Sequence, residues 1–401
     1  MGPKAKLIAA LWFFQVANYL DRVVMNFAAP AMMKSLSLSP AAFGVVLSSF
    51  SVGYFLAQIP GGIIADRRGV RAVLVIAPLF WALFTGVTGL VTALGGFILA
   101  RALFGIAEGV SNAACYKLVG DAFGSEQRSR AVAIWSTAFA VAPAFAGPAV
   151  GFLLGAVGWR MMFALMMAPA LLAAGFNFLT LPRKRLGDQV AAEPHQPFAR
   201  TLAAPGLWLV ALAYFAFNLA YWGYLSWMPS YLALAHHIDL KAMGLLGGIP
   251  YVFALLGLLT AGWLGSGALY RLRSQMVACA YLLAAVCLYL AYNVSTLALS
   301  VAGLSGAAFF LFGGFGPFGS IVLDLAPPSS RAAFSGVVST AGQVGSIAAP
   351  AMVGFMVSKT GTFAGGFGLM IAGLCVASVC LFGLVRRLGG GASTLLAPAS
   401  A

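Results

Sequence analysis

Charged side chains are scarce in this sequence, and acids are the scarcest of them. Asp, Glu, Lys and Arg make up 8% of 401 residues, and Asp and Glu together number only 9. Soluble domains carry about 25% charged residues, so the scarcity excludes a large soluble domain. The five cysteines fall inside apolar stretches and show no metal-ligand spacing, so we expect no metal site.

Long apolar stretches take the place of the missing charge. Hydrophobic residues make up 62% of the chain. A helix that crosses a bilayer needs about 20 apolar residues, and the chain divides into twelve such stretches. The sequence therefore predicts an all-α membrane protein with twelve transmembrane helices. The predicted spans are 7–33, 41–64, 72–92, 95–118, 130–155, 161–181, 205–232, 242–265, 274–292, 296–322, 333–357 and 364–385.

The net charge of +14 follows membrane topology and does not indicate a nucleic-acid partner. With the N-terminus inside, sixteen basic residues fall in cytoplasmic segments and four in outside segments. This asymmetry is typical of the positive-inside rule, and it predicts that both termini are cytoplasmic. The four outside residues are Lys34, Arg160, Lys241 and Lys359.

A polar, proline-containing segment at 182–204 separates spans six and seven. At an offset of 203 residues, Asp121 matches Asp324, and STA at 136–138 matches STA at 339–341. Repeated halves are typical of alternating-access carriers. The predicted organisation is an N-terminal six-helix bundle over 1–181, a cytoplasmic linker over 182–204, a C-terminal six-helix bundle over 205–388 and a disordered cytoplasmic tail over 389–401.

Four ionisable residues fall in the middle of predicted spans: Asp21, Arg22, Arg101 and Glu108. A charge at the bilayer centre costs about 2.5–3.5 kcal/mol on insertion scales, so such residues usually face a cavity and mark a substrate or proton path. All four lie in the first half, and spans seven to twelve have no mid-span charge. An alternative interpretation is two structural ion pairs that hold helices together.

Helical spacing in span one separates Asp21 from Arg22. Arg22 shares a polar stripe with Asn18 and Asn26, and Asp21 stands about 100° away from it at 3.6 residues per turn. The acid and the base therefore cannot point the same way. We expect Arg22 to face a cavity and Asp21 to point toward a neighbouring helix.

Span four carries the counterparts of Arg22. Arg101 and Glu108 are seven residues apart and share a face with Asn112. Buried arginines attract carboxylates because the guanidinium group offers a bidentate fork. A carboxyl group kept from water can exchange protons near neutral pH. Together these features indicate an organic anion that moves with protons.

The loop between spans two and three reads GGIIADRRGVR and contains Gly62, Asp66, Arg67, Gly69 and Arg71. It resembles the G-x-x-x-D-R-x-G-R-R loop of the major facilitator superfamily, with one departure in the closing basic pair. The resemblance implies a cytoplasmic gate motif in which glycine allows close helix approach and the charges latch helix ends.

Four further stretches resemble the anion:cation symporter family of that superfamily, which includes bacterial sugar-acid carriers, sialin and vesicular glutamate carriers. They are NYLDRVVMNFAAP at 18–30, RALFGIAEG at 101–109, GWRMMF at 158–163 and YLSWMPSYL at 224–232. The resemblance covers nearly the whole chain. It implies the major facilitator fold, with two pseudo-symmetric six-helix bundles.

The resemblance also implies roles for individual residues. Arg22 and Arg101 become substrate-anion or gating residues, and Tyr54 becomes a hydrogen-bond partner of the substrate. Asp21 and Glu108 become the proton-coupling pair. The predicted substrate-binding residues are Arg22, Arg101, Tyr54, Asn18, Asn112, Tyr221, Ser339 and Gln343.

The second half is poorer in polar groups than the family pattern. Ser339 and Gln343 stand where bacterial members often have two Asn residues. Sugar-acid carriers tend to have Gln near the position of Phe139, and its loss disfavours a heavily hydroxylated substrate. Span seven carries Tyr221 in an aromatic stripe, and the glycines and proline of 309–319 break span ten where a gate could bend. Aromatic stripes pack helices more often than they line sites, but basic groups together with aromatics suit a carboxylate with an apolar body.

We therefore expect a secondary active transporter that imports an organic anion by proton symport and alternating access. A sugar acid, a small mono- or dicarboxylate and an aromatic acid all remain open as substrates. We expect no enzymatic activity and no cofactor besides the proton gradient. The expected partners are the anion, protons and the lipid bilayer, with the chain as a monomer in a bacterial inner membrane. The alternatives are a drug or cation efflux antiporter, and an anion channel or transport-like sensor.

Overall fold

The described part of the chain is built from helices. A computed structural model describes residues 2–123, 131, 134–182, 200, 202–266, 269–327 and 331–389. Within these residues there is no strand, and one 3₁₀ turn lies at Tyr270–Leu272. The helices are α1 (Pro3–Leu36), α2 (Pro40–Arg68), α3 (Val70–Leu90), α4 (Leu94–Ala122), α5 (Ala138–Leu165), α6 (Met167–Thr180), α7 (Leu207–Ala235), α8 (Leu240–Ser266), α9 (Arg273–Asn293), α10 (Leu297–Gly313), α11 (Phe315–Leu325), α12 (Arg331–Thr360) and α13 (Ala364–Gly389).

The helices account for the predicted membrane spans. Eleven stretches of the described residues are long and apolar enough to cross a membrane. One of them, Ile134–Thr180, has 47 residues, which is about twice what one crossing needs. Inside it the backbone leaves the helical region at Gly158, with φ 73°, so the stretch holds two crossings. With this stretch counted as two crossings, the eleven stretches of the described residues give twelve crossings. This number matches the twelve predicted spans, and the all-α prediction is confirmed.

Local sequence sets both ends of α2. Ser39 caps α2 by accepting a hydrogen bond from the N–H of Ala42 at 3.2 Å, and Pro40 occupies the first turn. Gly69 ends α2 with φ 87°, a conformation that favours glycine. The chain can therefore reverse at one residue, and α3 begins at Val70.

The described residues fall into two compact units. The first unit takes in Met1–Val190, Leu225–Val252 and Pro350–Gly366, and the second Ala191–Tyr224, Phe253–Ala349 and Phe367–Ala401. Residues 183–199 and 201 of the predicted linker, and 390–401 of the predicted tail, lie outside the described residues. The predicted domain boundaries therefore stay predictions.

Glycine brings α2 and α4 into close contact in the first unit. A Cβ atom added at Gly53 would overlap the carbonyl of Ala102, and one added at Gly105 would overlap the carbonyl of Phe50. One turn further along α4, a Cβ atom added at Gly109 would overlap the carbonyl of Tyr54. The bare glycine backbones let the two helices touch, and this contact brings the side chains of α2 next to those of α4.

The first unit also contains segments of α7 and α12, which pack against α1 and α2. Asn26 donates to the carbonyl of Leu225 at 3.0 Å. The Trp227 indole donates to the carbonyl of Pro350 at 3.0 Å. The N–H of Ala351 donates to the Ser48 hydroxyl at 3.1 Å. Hydrogen bonds from side chains therefore hold these segments in the unit.

Candidate functional site

A buried ion pair joins the middle of α1 to α4. Arg22 Nη2 lies 2.6 Å and Arg22 Nε 3.1 Å from Oε2 of Glu108. The two side chains are 6% and 0% exposed, so water does not screen the pair. The other oxygen, Oε1 of Glu108, has no hydrogen-bond partner among the described residues. The carboxylate therefore keeps an unused acceptor.

Three aromatic rings surround the Arg22 guanidinium. Its carbon lies 4.6 Å from the ring centre of Tyr19, 4.9 Å from Phe50 and 5.0 Å from Tyr54. Ring faces attract a cation without using its N–H donors. The close approach of α2 to α4 supplies the last two rings, while Nε and Nη2 of Arg22 donate to the Glu108 carboxylate.

Arg101 is a second buried cation, and its surroundings differ. It is 4% exposed, and its guanidinium carbon lies 5.2 Å from the ring centre of Phe50 and 4.7 Å from that of Phe104. No carboxylate in the described part of the chain forms an ion pair with it, and its Nε has no hydrogen-bond partner there. Arg101 therefore has donors to offer an anion.

Asp21 does not pair with its neighbour Arg22. It is 1% exposed, and neither carboxylate oxygen has a hydrogen-bond partner among the described residues. The charges of Glu108 and Arg101 act on it, and the Trp81 indole of α3 influences it without a hydrogen bond, because its Nε1 also has no partner among the described residues. Asp21 therefore points away from the polar stripe of Arg22, because neighbouring residues on a helix are about 100° apart.

The remaining predicted residues of the first unit lie around this pair. Asn18 accepts a hydrogen bond from Gln15 at 3.3 Å, and Gln15 accepts one from the Trp135 indole at 3.0 Å. Tyr54 lies over Arg22. Asn112 is half-buried one turn after Glu108 on α4. The structure thus brings the predicted residues of α1, α2 and α4 together in one unit.

In the second unit, the three predicted residues lie in three different surroundings. Tyr221 is buried, with its ring edge-on to Phe312 at 5.4 Å and Phe315 at 5.0 Å. Gln343 accepts a hydrogen bond from Ser346 at 2.9 Å on the same helix. Ser339 lines a cavity of about 210 Å³. We call this space the aromatic cavity, and its ring walls are Tyr214, Phe217, Tyr281, Phe315 and Phe318.

The predicted gate motif lies at the junction of α2 and α3. Arg71 Nη2 donates to the carbonyl of Phe178 at 2.7 Å, and its guanidinium lies 4.8 Å from that ring centre. Arg71 thus ties α3 to α6. Gly62 is inside α2, Arg67 is exposed, and the side chain of Asp66 lies outside the described residues.

Sequence analysis missed the aromatic neighbours of both arginines. Tyr19 and Phe50 lie over Arg22, Phe104 lies over Arg101, and Trp81 acts on Asp21. Phe50 is four residues before the predicted Tyr54, so helical periodicity puts both on one face. That spacing is a signal that could have found Phe50. Trp81 has no such signal because it comes from α3, a helix for which no substrate-binding or proton-coupling residue is predicted.

Comparison with known proteins places the chain in a family. The model of the Major Facilitator Superfamily matches residues 11–350 and 210–396. A hexuronate transporter of Bacillus subtilis (strain 168) is 29% identical over 97% of this chain and 97% of its own length. A probable L-galactonate transporter of Escherichia coli (strain K12) is 29% identical over 92% of this chain and 86% of its own length.

A solved structure shows the same fold. It is a bacterial homolog of the human lysosomal transporter Spinster, in an inward-facing and occupied conformation, and it superposes with a TM-score of 0.78. The match covers 96% of this chain and 98% of that one at 19% identity, which shows the fold alone. Together with the family match, it confirms the resemblance that the motifs carry. The chain belongs to the Major Facilitator Superfamily and is a membrane transporter.

Proposed function

We propose that this chain imports an organic anion by proton symport and alternating access. The observation that carries the proposal is the buried Arg22–Glu108 pair beside Arg101, a cation without an ion-pair partner among the described residues. Such charges are costly in a membrane and usually mark a substrate or proton path. A carboxylate substrate supplies the charge that this arrangement can accept.

Glu108 and the substrate carboxylate compete for Arg22. A buried cation that loses its partner costs several kcal/mol, so Arg22 needs one anion at each stage. When Glu108 takes up a proton from outside, Arg22 loses its internal anion, and a substrate carboxylate can use the same N–H donors. When Glu108 releases the proton inside, it pairs with Arg22 again and expels the anion. Proton and carboxylate then move in the same direction.

Arg101 and Asp21 complete the cycle. Arg101 offers N–H donors to the anion, and Asp21 acts on Arg101 by charge. A proton on Asp21 removes that competing negative charge while the substrate is bound. Release of the proton restores it and weakens the hold of Arg101 on the substrate. Both acids therefore respond to the proton gradient in the same direction.

The relatives support an acidic substrate. Hexuronates and L-galactonate, named for the two bacterial relatives, are both sugar carboxylates. The buried arginines explain how a protein of this family can select a carboxylate, because the guanidinium fork matches its two oxygens. The basic residues of the predicted inside loops support cytoplasmic termini, and the bacterial relatives support a plasma membrane. We propose a monomer as the transporting unit.

Uptake into proteoliposomes tests the proposal. Purified protein is reconstituted, and uptake of labelled D-galacturonate and benzoate is measured with an acid exterior, with and without a protonophore. We expect accumulation that collapses with the gradient. Glu108→Gln, which mimics the protonated acid, should keep exchange of internal for external substrate and lose accumulation. Accumulation that survives the protonophore would disprove proton coupling, and absence of carboxylate uptake or exchange would disprove the anion proposal.

A further inference from the structure

A long groove on the surface of the first unit has no role in the cycle described above. It has a volume of about 810 Å³, and residues of α2, α3 and α4 line it. Two arginines, Arg67 and Arg68, belong to this lining. We propose that the groove binds one anionic phospholipid, with an acyl chain along its apolar part and the headgroup phosphate at the two arginines. The site is separate from the buried charges of α1 and α4, so its test does not depend on the proposed function.

The apolar part of the groove has large exposed walls and a floor of small buried residues. Ile63 of α2 is 49% exposed, and Phe80 of α3 is 52% exposed. Ala77 of α3 and Ala107 of α4 line the same groove and are buried. Exposed apolar surface of this kind marks contact with a membrane or a partner. Small residues between large ones leave a furrow that a hydrocarbon chain can fill.

The length of the groove matches one leaflet of a bilayer. Along α3 its lining runs from Ala72 to Phe84, which corresponds to about 18 Å at 1.5 Å per residue. The hydrocarbon core of a bilayer is about 30 Å thick, so one leaflet has about 15 Å of hydrocarbon. An acyl chain that enters at Ala72 can therefore stay in contact with the protein through the depth of its leaflet.

The two arginines lie at the level of lipid headgroups. The candidate membrane spans are Pro40–Ala65 and Val70–Leu90, so Arg67 and Arg68 fall between them, next to the Ala72 end of the groove. Both side chains are exposed. Guanidinium groups bind phosphate oxygens through paired N–H donors, and the described residues that line the groove include no acid. This end of the groove therefore suits a phosphate, and the furrow suits the chain attached to it.

A second groove of the first unit shows what the arginines add. It has a volume of about 1090 Å³, and Lys4 is the one charged residue among the described residues that line it. The Lys4 ammonium lies 5.8 Å from the ring centre of Phe123, and an ammonium group is a point charge without the fork of a guanidinium group. Lipid chains can fill both grooves. Selectivity for an anionic headgroup therefore belongs to the groove with two arginines.

Lipid binding to the purified full-length protein tests this inference. Phosphatidylglycerol and phosphatidylethanolamine with the same acyl chains are titrated, and bound lipid is measured by native mass spectrometry. The double variant Arg67→Gln/Arg68→Gln removes both charges of the groove. Arg386→Gln/Arg387→Gln is the matched control, because these two arginines are also adjacent and exposed in the last turn of a helix, α13, and line neither groove.

Two phenylalanine variants test the apolar part of the groove. Ala72→Phe puts a ring into the groove, whereas Val75→Phe puts the same ring on the same helix at a residue outside the lining. Both residues are half-buried, so the two variants are matched in exposure. This pair also tests the site if the arginine variant does not fold.

We expect phosphatidylglycerol to bind about tenfold more tightly than phosphatidylethanolamine, because basic residues near the headgroups favour an anionic lipid. Arg67→Gln/Arg68→Gln should lose this preference, and the α13 control should keep it. Ala72→Phe should weaken the binding of both lipids, and Val75→Phe should not. Equal binding of the two lipids, or equal losses within either matched pair of variants, overturns the lipid site. Displacement of phosphatidylglycerol by an equal concentration of inorganic phosphate also overturns it, since the arginines would then recognise the ion alone.

Discussion

The Arg22–Glu108 region of the first unit and the aromatic cavity of the second unit bury different chemistry. Two arginines and two acids lie within α1 and α4 of the first unit, whereas the cavity of the second unit is lined by rings and hydroxyls. A side chain that titrates can couple transport to protons, and a neutral aromatic wall cannot. We therefore expect charge recognition and proton coupling to depend on the first unit.

The largest expected effect is the loss of Arg101. Arg101→Ala removes the buried cation proposed to pair with the substrate carboxylate, and truncating one partner of a buried charge pair in a binding site costs about 2–5 kcal/mol, which is about 30-fold or more in affinity. Ser339→Ala in the second unit removes one hydroxyl, whose hydrogen bond is worth about 0.5–1.5 kcal/mol. Calorimetry with the best-bound carboxylate should therefore rank the two variants in that order.

The exposed Arg160 provides the control for Arg101. Its guanidinium lies 4.1 Å from the Trp159 ring centre, so Arg160→Ala also removes an arginine from an aromatic ring. That variant should bind substrate normally. Equal losses in Arg101→Ala and Ser339→Ala would break the comparison between the units, and unchanged affinity in Arg101→Ala would remove Arg101 from the site.

Asp21 should affect coupling more than binding. Asp21→Asn keeps the shape of the side chain and removes its charge, so accumulation driven by a proton gradient should be lost while substrate exchange continues. Asp239→Asn is the matched control because Asp239 caps α8 through the N–H of Ala242 at 2.7 Å, a role that asparagine can also fill. Full accumulation in Asp21→Asn would show that another group carries the proton.

Much of the first-unit site could be predicted from helical periodicity. The spacing of Arg22, Asn18 and Asp21 gives their directions on one helix, and the seven-residue interval from Arg101 to Glu108 gives a common face. The scarcity of charge made these residues conspicuous. Spacing within a helix is local information, and a single sequence contains it in full.

The partners across helices could not be predicted in the same way. Which acid pairs with Arg22, and which rings cover it, depends on how closely α2 approaches α4, and hence on Gly53 and Gly105. The aromatic cavity is a harder case, because the sequence shows many aromatic residues but not where their packing leaves a space. Tyr221, predicted to bind substrate, lies among the packed rings, while Ser339 lines the cavity.

Gly105 tests the glycine contact that brings the rings to Arg22. Gly105→Ala puts a methyl group into the backbone of Phe50, and overpacking of this kind costs about 1–3 kcal/mol. Gly95→Ala is the control on the same helix, since a Cβ there meets nothing within 4 Å. Chemical denaturation in detergent should show a loss for the first variant and none for the second. If both are equally stable, the α2–α4 contact has room to relax.

The smallest effect is expected at the loop between α2 and α3. Arg71 holds α3 to α6 through the carbonyl of Phe178, and one exposed hydrogen bond is worth about 1 kcal/mol or less. Arg271, 200 residues later, is the corresponding exposed residue of the second unit. Arg71→Ala should therefore lower thermal stability slightly more than Arg271→Ala and leave substrate affinity unchanged. A loss of transport rate in Arg71→Ala without a loss of stability would mean that this contact forms and breaks during the cycle, as the gate motif implies. The same loss in Arg271→Ala would extend the gate to the second unit, where Ser266 stands 200 residues after Asp66 and the acid of the motif is missing.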